Sequence, residues 1–133
     1  LERTQASAQQ ALVLNVKEGT SIFHSVMVHY ENELPVQIED RCVNAEIVPA
    51  YLAQDYSQTT PHAYLSLIAP LTEGEHIVEA VRASAEECAL LNIKEHDPCL
   101  LIRRKTWSAS SIVSHARLLF PGSRYRLQGR FMS

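Results

Sequence analysis

Two long runs of apolar and β-branched residues, Ile22 to Tyr30 and Leu34 to Val43, are parted by the polar triplet Glu31-Asn32-Glu33. That pattern predicts a β-hairpin. It returns downstream as Cys99 to Trp107, the triplet Ser108-Ala109-Ser110, and Val113 to Phe120. Ahead of the hairpins, Ala6 to Glu18 aligns with Ala83 to Glu95 at the same offset of 77, with seven of thirteen positions identical. A duplicated unit is the simplest source of such self-similarity. Ser7 with Gln10, and Ser84 with Glu87, are S-x-x-[QE] capping boxes that satisfy free N–H groups at a helix start. Asn15 and Asn92 follow the last apolar position of each copy, where asparagine tolerates the left-handed turn that ends a helix. Each copy therefore reads strand, helix, hairpin, with Leu1 to Thr4 and Ile77 to Arg82 as leading strands.

Between the copies, Pro49 to Leu71 carries prolines near helix starts and spaced apolar residues (Tyr51, Leu52, Tyr56; Tyr64, Leu65, Ile68), which predict two short helices. A last strand is predicted over Tyr125 to Phe131. Strands outnumber helices, so the expected class is α+β: a mostly antiparallel sheet with helices on one face and an internally duplicated strand-helix-hairpin unit. A cleft between the halves is the expected place for a ligand.

Composition narrows the function. At 133 residues the chain fits one domain spanning 1–133, large enough to bury roughly two thirds of its unfolded surface. The three cysteines are scattered with no C-x-x-C pair, which suits buried thiols in a reducing cytoplasm. A net charge of −3 and a pI near 6.1 lack the basic footprint of a nucleic-acid binder. No apolar run reaches the length of a membrane span, and no signal segment opens the chain. The chain begins at Leu1, in what reads as the tail of a strand, so further residues are expected upstream.

Side chains alternate across a strand, so Met27, His29, Glu39 and Arg41 share one face of the first hairpin. In the repeat register Arg104, Thr106, Ser114 and Phe120 share the matching face of the second. A face mixing cations, a carboxylate, hydroxyls, imidazole and an aromatic ring suits recognition of a small polar ligand; the other reading is a solvated face. The opposite face holds Ile22, Val26, Val28, Val36 and Ile38 as core, with Asp40 and Arg117 at equivalent repeat positions, where a structural ion pair is expected. The six histidines show no H-x-x-x-H spacing, and no metal or other cofactor is expected. No nucleophile elbow or Gly-rich phosphate loop is present, so catalysis is not expected. The basic residues Arg103, Arg104, Lys105, Arg124, Arg126 and Arg130 read as solvated or paired with the acidic excess.

The run Asn32-Glu33-Leu34-Pro35-Val36-Gln37-Ile38-Glu39, the segment Ala83 to Arg104 and the ending Gly122-Ser123-Arg124-Tyr125-Arg126 resemble the UTRA effector-binding domain of GntR-type transcription repressors, over nearly the whole chain. Ile22 to Ser25, Asp40 to Asn44 and Leu101 to Arg104 look most like the branch of that family that controls histidine utilisation. The resemblance implies a chorismate-lyase-like fold, homodimerisation, and DNA binding only through an amino-terminal winged helix-turn-helix domain that is absent here. It also implies relief of repression by a small-molecule effector, which for this branch would be urocanate. Family members that bind phosphosugars carry two arginines where this chain has Met27 and His29, which argues against a phosphosugar. The family's acidic position is kept as Glu39, its second carboxylate and late aromatic fall on Ser114 and Phe120, and His62 and Tyr64 match its helix-start contact segment. The resulting ligand-binding set is Met27, His29, Glu39, Arg41, His62, Tyr64, Arg104, Ser114 and Phe120. Two other readings stand beside it: a small lyase-like enzyme acting on an aromatic acid, since fold alone does not fix function, and a dimerisation module without a ligand.

Overall fold

The computed structural model describes residues 1–130. The chain runs β1 (Glu2–Gln5), α1 (Ala8–Leu14), β2 (Ser21–Glu31), β3 (Leu34–Asn44), a 3-10 turn (Tyr51–Ala53), α2 (Pro61–Ile68), β4 (Glu73–Arg82), α3 (Ala85–Leu91), β5 (Pro98–Ser108) and β6 (Ser111–Pro121). The strands form one antiparallel sheet in the order β1-β2-β3-β6-β5-β4. The duplication is thus a pseudo-twofold arrangement, with each copy supplying one half of the sheet and β3 meeting β6 at its centre.

Local chemistry explains why the two copies match. Both capping boxes form: Ser7 Oγ accepts from Gln10 N, Ser84 Oγ from Glu87 N, and each partner side chain reaches back to the cap. Asn15 and Asn92 end the helices with φ of 55° and 52°, as the left-handed termination requires. The first hairpin turns on Asn32 and Glu33, both at positive φ (52° and 67°), the primed geometry that follows strand twist.

The core has two sides. The duplicated helices pack on one face of the sheet: α1 covers Ile22 and Cys42, and α3 covers Ile38, Leu101 and Leu119. The expectation of a shared helical face holds for this pair. The connector covers the other face, where Tyr51, Tyr64 and Leu65 bury Phe23, Val43 and Val113.

Two expectations are corrected. Asp40 and Arg117 do stand opposite each other across β3 and β6, but each has another partner: Asp40 Oδ1 meets His24 Nε2 at 2.7 Å, and Arg117 Nη1 donates to Glu87 Oε2 at 2.6 Å. Glu87 sits in the first turn of α3, which packs against β3 and brings its carboxylate to Arg117 on the neighbouring β6. The final strand does not form over residues 125–130, and Phe131 lies outside the described residues. Arg124 donates to the carbonyls of Pro35, Leu91 and Asn92, and Tyr125 stacks on Phe120 with ring centroids 3.8 Å apart. These contacts pull the chain off the end of β6 and over the C-terminus of α3, away from either sheet edge.

Candidate functional site

On the connector's face, two cavities adjoin. One, of 290 Å³, is lined by His29, Gln37, Glu39, Arg41, Thr60, His62, Arg104, Leu118 and Phe120. The second, of 450 Å³, shares His62 and Arg104 and extends toward Ser66, Thr72, Glu73, Gly74, His76 and Thr106. The sheet register places these groups: Glu39 is opposite Leu118, Arg104 is opposite His76, and Thr106 is opposite both Gly74 and Ser114. From above, α2 delivers His62. Its start is set by Thr60, whose hydroxyl accepts from Ala63 N at 3.1 Å, and by Pro61 in the first turn, a position where a missing N–H costs nothing.

A hydrogen-bonded chain crosses four strands beneath the cavities. His29 Nε2 donates to Glu39 Oε1 at 3.0 Å, and Arg41 Nε donates to Glu39 Oε2 at 3.0 Å. Arg41 Nη1 donates to Ser114 Oγ at 3.0 Å, and Ser114 lies 2.9 Å from the Thr106 hydroxyl. Arg41 and Ser114 are almost wholly buried, at 1% and 0% exposure. Burial pushes the Glu39 carboxyl up, but the hydrogen bond from His29 and the Arg41 guanidinium outweigh it and hold Glu39 below its usual range. A buried charge persists only when paired in this way. Burial, then Arg104 and Arg41, hold His62 below the usual histidine value.

Of the nine residues singled out from the sequence, six line the smaller cavity: His29, Glu39, Arg41, His62, Arg104 and Phe120. Ser114 lies behind Arg41 as its acceptor. Met27 shares the face as the cross-strand partner of Glu39 but lines neither cavity. Tyr64 packs into an aromatic row with Phe23, Tyr51 and Tyr56. Sequence reasoning missed Gln37 and Leu118, although alternation with Glu39 and with Phe120 points to both. It also missed His76, which only the pairing of β4 with β5 brings to Arg104.

The basic residues of β5 have separate fates: Arg103 pairs with Glu79 at 2.7 Å, Arg104 turns to the cavities, and Lys105 lies over the Trp107 ring. The three cysteines are free and buried. Among the described residues no group of His, Cys, Asp or Glu side chains is arranged to hold a metal, and no helix is long and apolar enough to cross a membrane.

A duplicated six-stranded antiparallel sheet in this strand order is the fold of the chorismate-lyase-like effector domains. The chain belongs to the UTRA domain family, which matches residues 1–126. It is 78% identical, over its full length and 55% of the relative, to the histidine utilization repressor of Klebsiella aerogenes. It superposes with a TM-score of 0.97 on the C-terminal domain of the histidine utilization repressor from Pseudomonas syringae, at 57% identity over 100% of this chain and 94% of that one. The effector domain of PhnF from Mycobacterium smegmatis, 18% identical over 99% of this chain and 83% of that one, shares the fold with a TM-score of 0.89. The chain spans about half the length of the curated relatives it matches.

Proposed function

We propose that this chain is the effector-sensing and dimerisation part of a cytoplasmic repressor of histidine utilisation, a regulator and not an enzyme, in which urocanate relieves DNA binding by an upstream winged helix-turn-helix domain. The name carried by relatives 78% and 60% identical to it supports the regulatory role. The observation that carries the ligand reading is the charge balance of the smaller cavity: two guanidinium groups, Arg41 and Arg104, face one carboxylate, Glu39, beside the Phe120 ring.

That balance favours a planar monoanion with an apolar body. The cavity's 290 Å³ falls at the small end of ligand sites. In this reading Arg41 or Arg104 meets the carboxylate of urocanate, and His29 or Glu39 meets its ring. Binding between the two halves biases one dimer arrangement over another, since a ligand shifts an equilibrium only by its differential affinity.

A thermal-shift series with urocanate, histidine, N-acetylglucosamine 6-phosphate and chorismate tests the reading, because a ligand of the native state raises the melting temperature. A rise with urocanate alone is expected. A rise with the phosphosugar or chorismate instead would replace urocanate as effector.

A further inference from the structure

We infer that Arg104, held in place by His76, is the cation that takes the effector's carboxylate, while Arg41 serves as a buried strut behind it. This rests on the proposed function and decides between its two arginines.

The two side chains are chemically unequal. Arg41 is sealed in, with Nε committed to Glu39 and Nη1 to Ser114, so its charge is already answered by a buried carboxylate. Arg104 is half-buried and stands on the wall common to both cavities. Among the described residues its ion pairs are nil: none of the six carboxylate contacts includes it. Its Nε donates instead to His76 Nε2 at 2.8 Å.

The direction of that bond matters, because a guanidinium only donates and Nε2 must therefore offer a lone pair. His76 is thus neutral, with its proton on Nδ1. Burial, then the Arg104 charge, hold His76 below the usual histidine value. A neutral acceptor orients the guanidinium without cancelling its charge. It also ties down Nε and leaves the Nη1/Nη2 edge for a bidentate carboxylate. Burial and the nearby Arg41 push the pKa of Arg104 down, so an arriving anion relieves a charge that its surroundings disfavour. His76 is a positioning residue in this scheme.

The test is a ligand–protein cycle by calorimetry, with urocanate and its carboxamide against the wild-type chain and the variants Arg104→Gln, Arg104→Lys, His76→Gln and His76→Leu, each checked for a cooperative melt. The wild type is expected to prefer the carboxylate by roughly 10- to 100-fold. Arg104→Gln erases that preference, and Arg104→Lys, which keeps the charge but not the fork, retains part of it. Gln at position 76 accepts from Arg104 and rescues urocanate binding. Leu at 76 weakens urocanate severalfold and leaves the carboxamide nearly unchanged, a split that general loss of structure would not produce. An undiminished preference in Arg104→Gln would overturn the assignment and leave urocanate standing as effector. Should urocanate fail to bind the wild type, the effector reading falls, and cinnamate with its amide is measured on the same proteins. Cinnamate binding that ignores Arg104→Gln, or no binding of either carboxylate, would then overturn the role of Arg104.

Discussion

His29 and Thr106 occupy equivalent positions in the two copies, 77 residues apart, and each is the last residue before its hairpin slips register. The residues left without a partner, Val36 and Val113, are equivalent as well. A bulge bends its strand and re-aims neighbouring side chains, and here each of the duplicated bulges lies beside one of the two adjoining cavities. His29 lines the smaller one and Thr106 the larger. The two residues also end the hydrogen-bonded chain that runs through Glu39, Arg41 and Ser114, so the site is one polar seam across four strands.

Cutting that seam at its centre should be costly. Arg41→Leu strands Glu39 as a buried carboxylate without its main cation, and a loss of about 3–5 kcal/mol is expected in urea unfolding. The double variant with Glu39→Gln should recover part of that loss. A single-variant loss below 1 kcal/mol would mean that the pair is far better solvated than its burial indicates.

Acid should weaken the fold through two carboxylates. Glu39 and Glu87 are both held below the ordinary value of 4.5, so their folded forms prefer the charged state more than the unfolded chain does. Their contribution is fully present above the unfolded pKa and is lost as pH falls from about 4.5 through the lower folded values. Melting temperature followed from pH 7 to pH 3 should fall most steeply at the acid end, and Glu39→Gln should flatten that fall.

The capping boxes offer a matched pair. Ser7→Ala and Ser84→Ala each remove a hydroxyl that accepts a backbone N–H, and a loss of about 1 kcal/mol apiece is expected. Ser84→Ala should cost more, because Glu87 bonds both the cap backbone and Arg117. Denaturation midpoints of the two variants in parallel check the order.

Glycine at 122 is required by crowding. A Cβ there would meet the Pro98 carbonyl oxygen at 2.8 Å, whereas one at Gly129 meets nothing within 4 Å. Gly122→Ala should therefore lower stability by about 1–3 kcal/mol, while Gly129→Ala should leave the melting temperature close to that of the wild type.

Much of this protein was legible in its residue order because the deciding interactions are local. Capping boxes, asparagine terminators, polar turns and strand alternation act over a few positions, and the offset of 77 repeats them, so the half-unit and the face shared by His29, Glu39 and Arg41 follow from the sequence alone. Where the connector would pack does not follow, since Tyr51, Tyr64 and Leu65 are apolar whichever face they cover, and only burial of Phe23 and Val43 selects it. The same holds for charge pairing: Asp40 and Arg117, equivalent in the repeat and expected to pair, do face each other across β3 and β6, yet His24 and Glu87 took them, because a helix and a neighbouring strand brought closer partners. Strand order is a long-range choice among pairings of similar local merit. It set Arg104 beside His76 and made a cavity wall from residues that stand far apart along the chain.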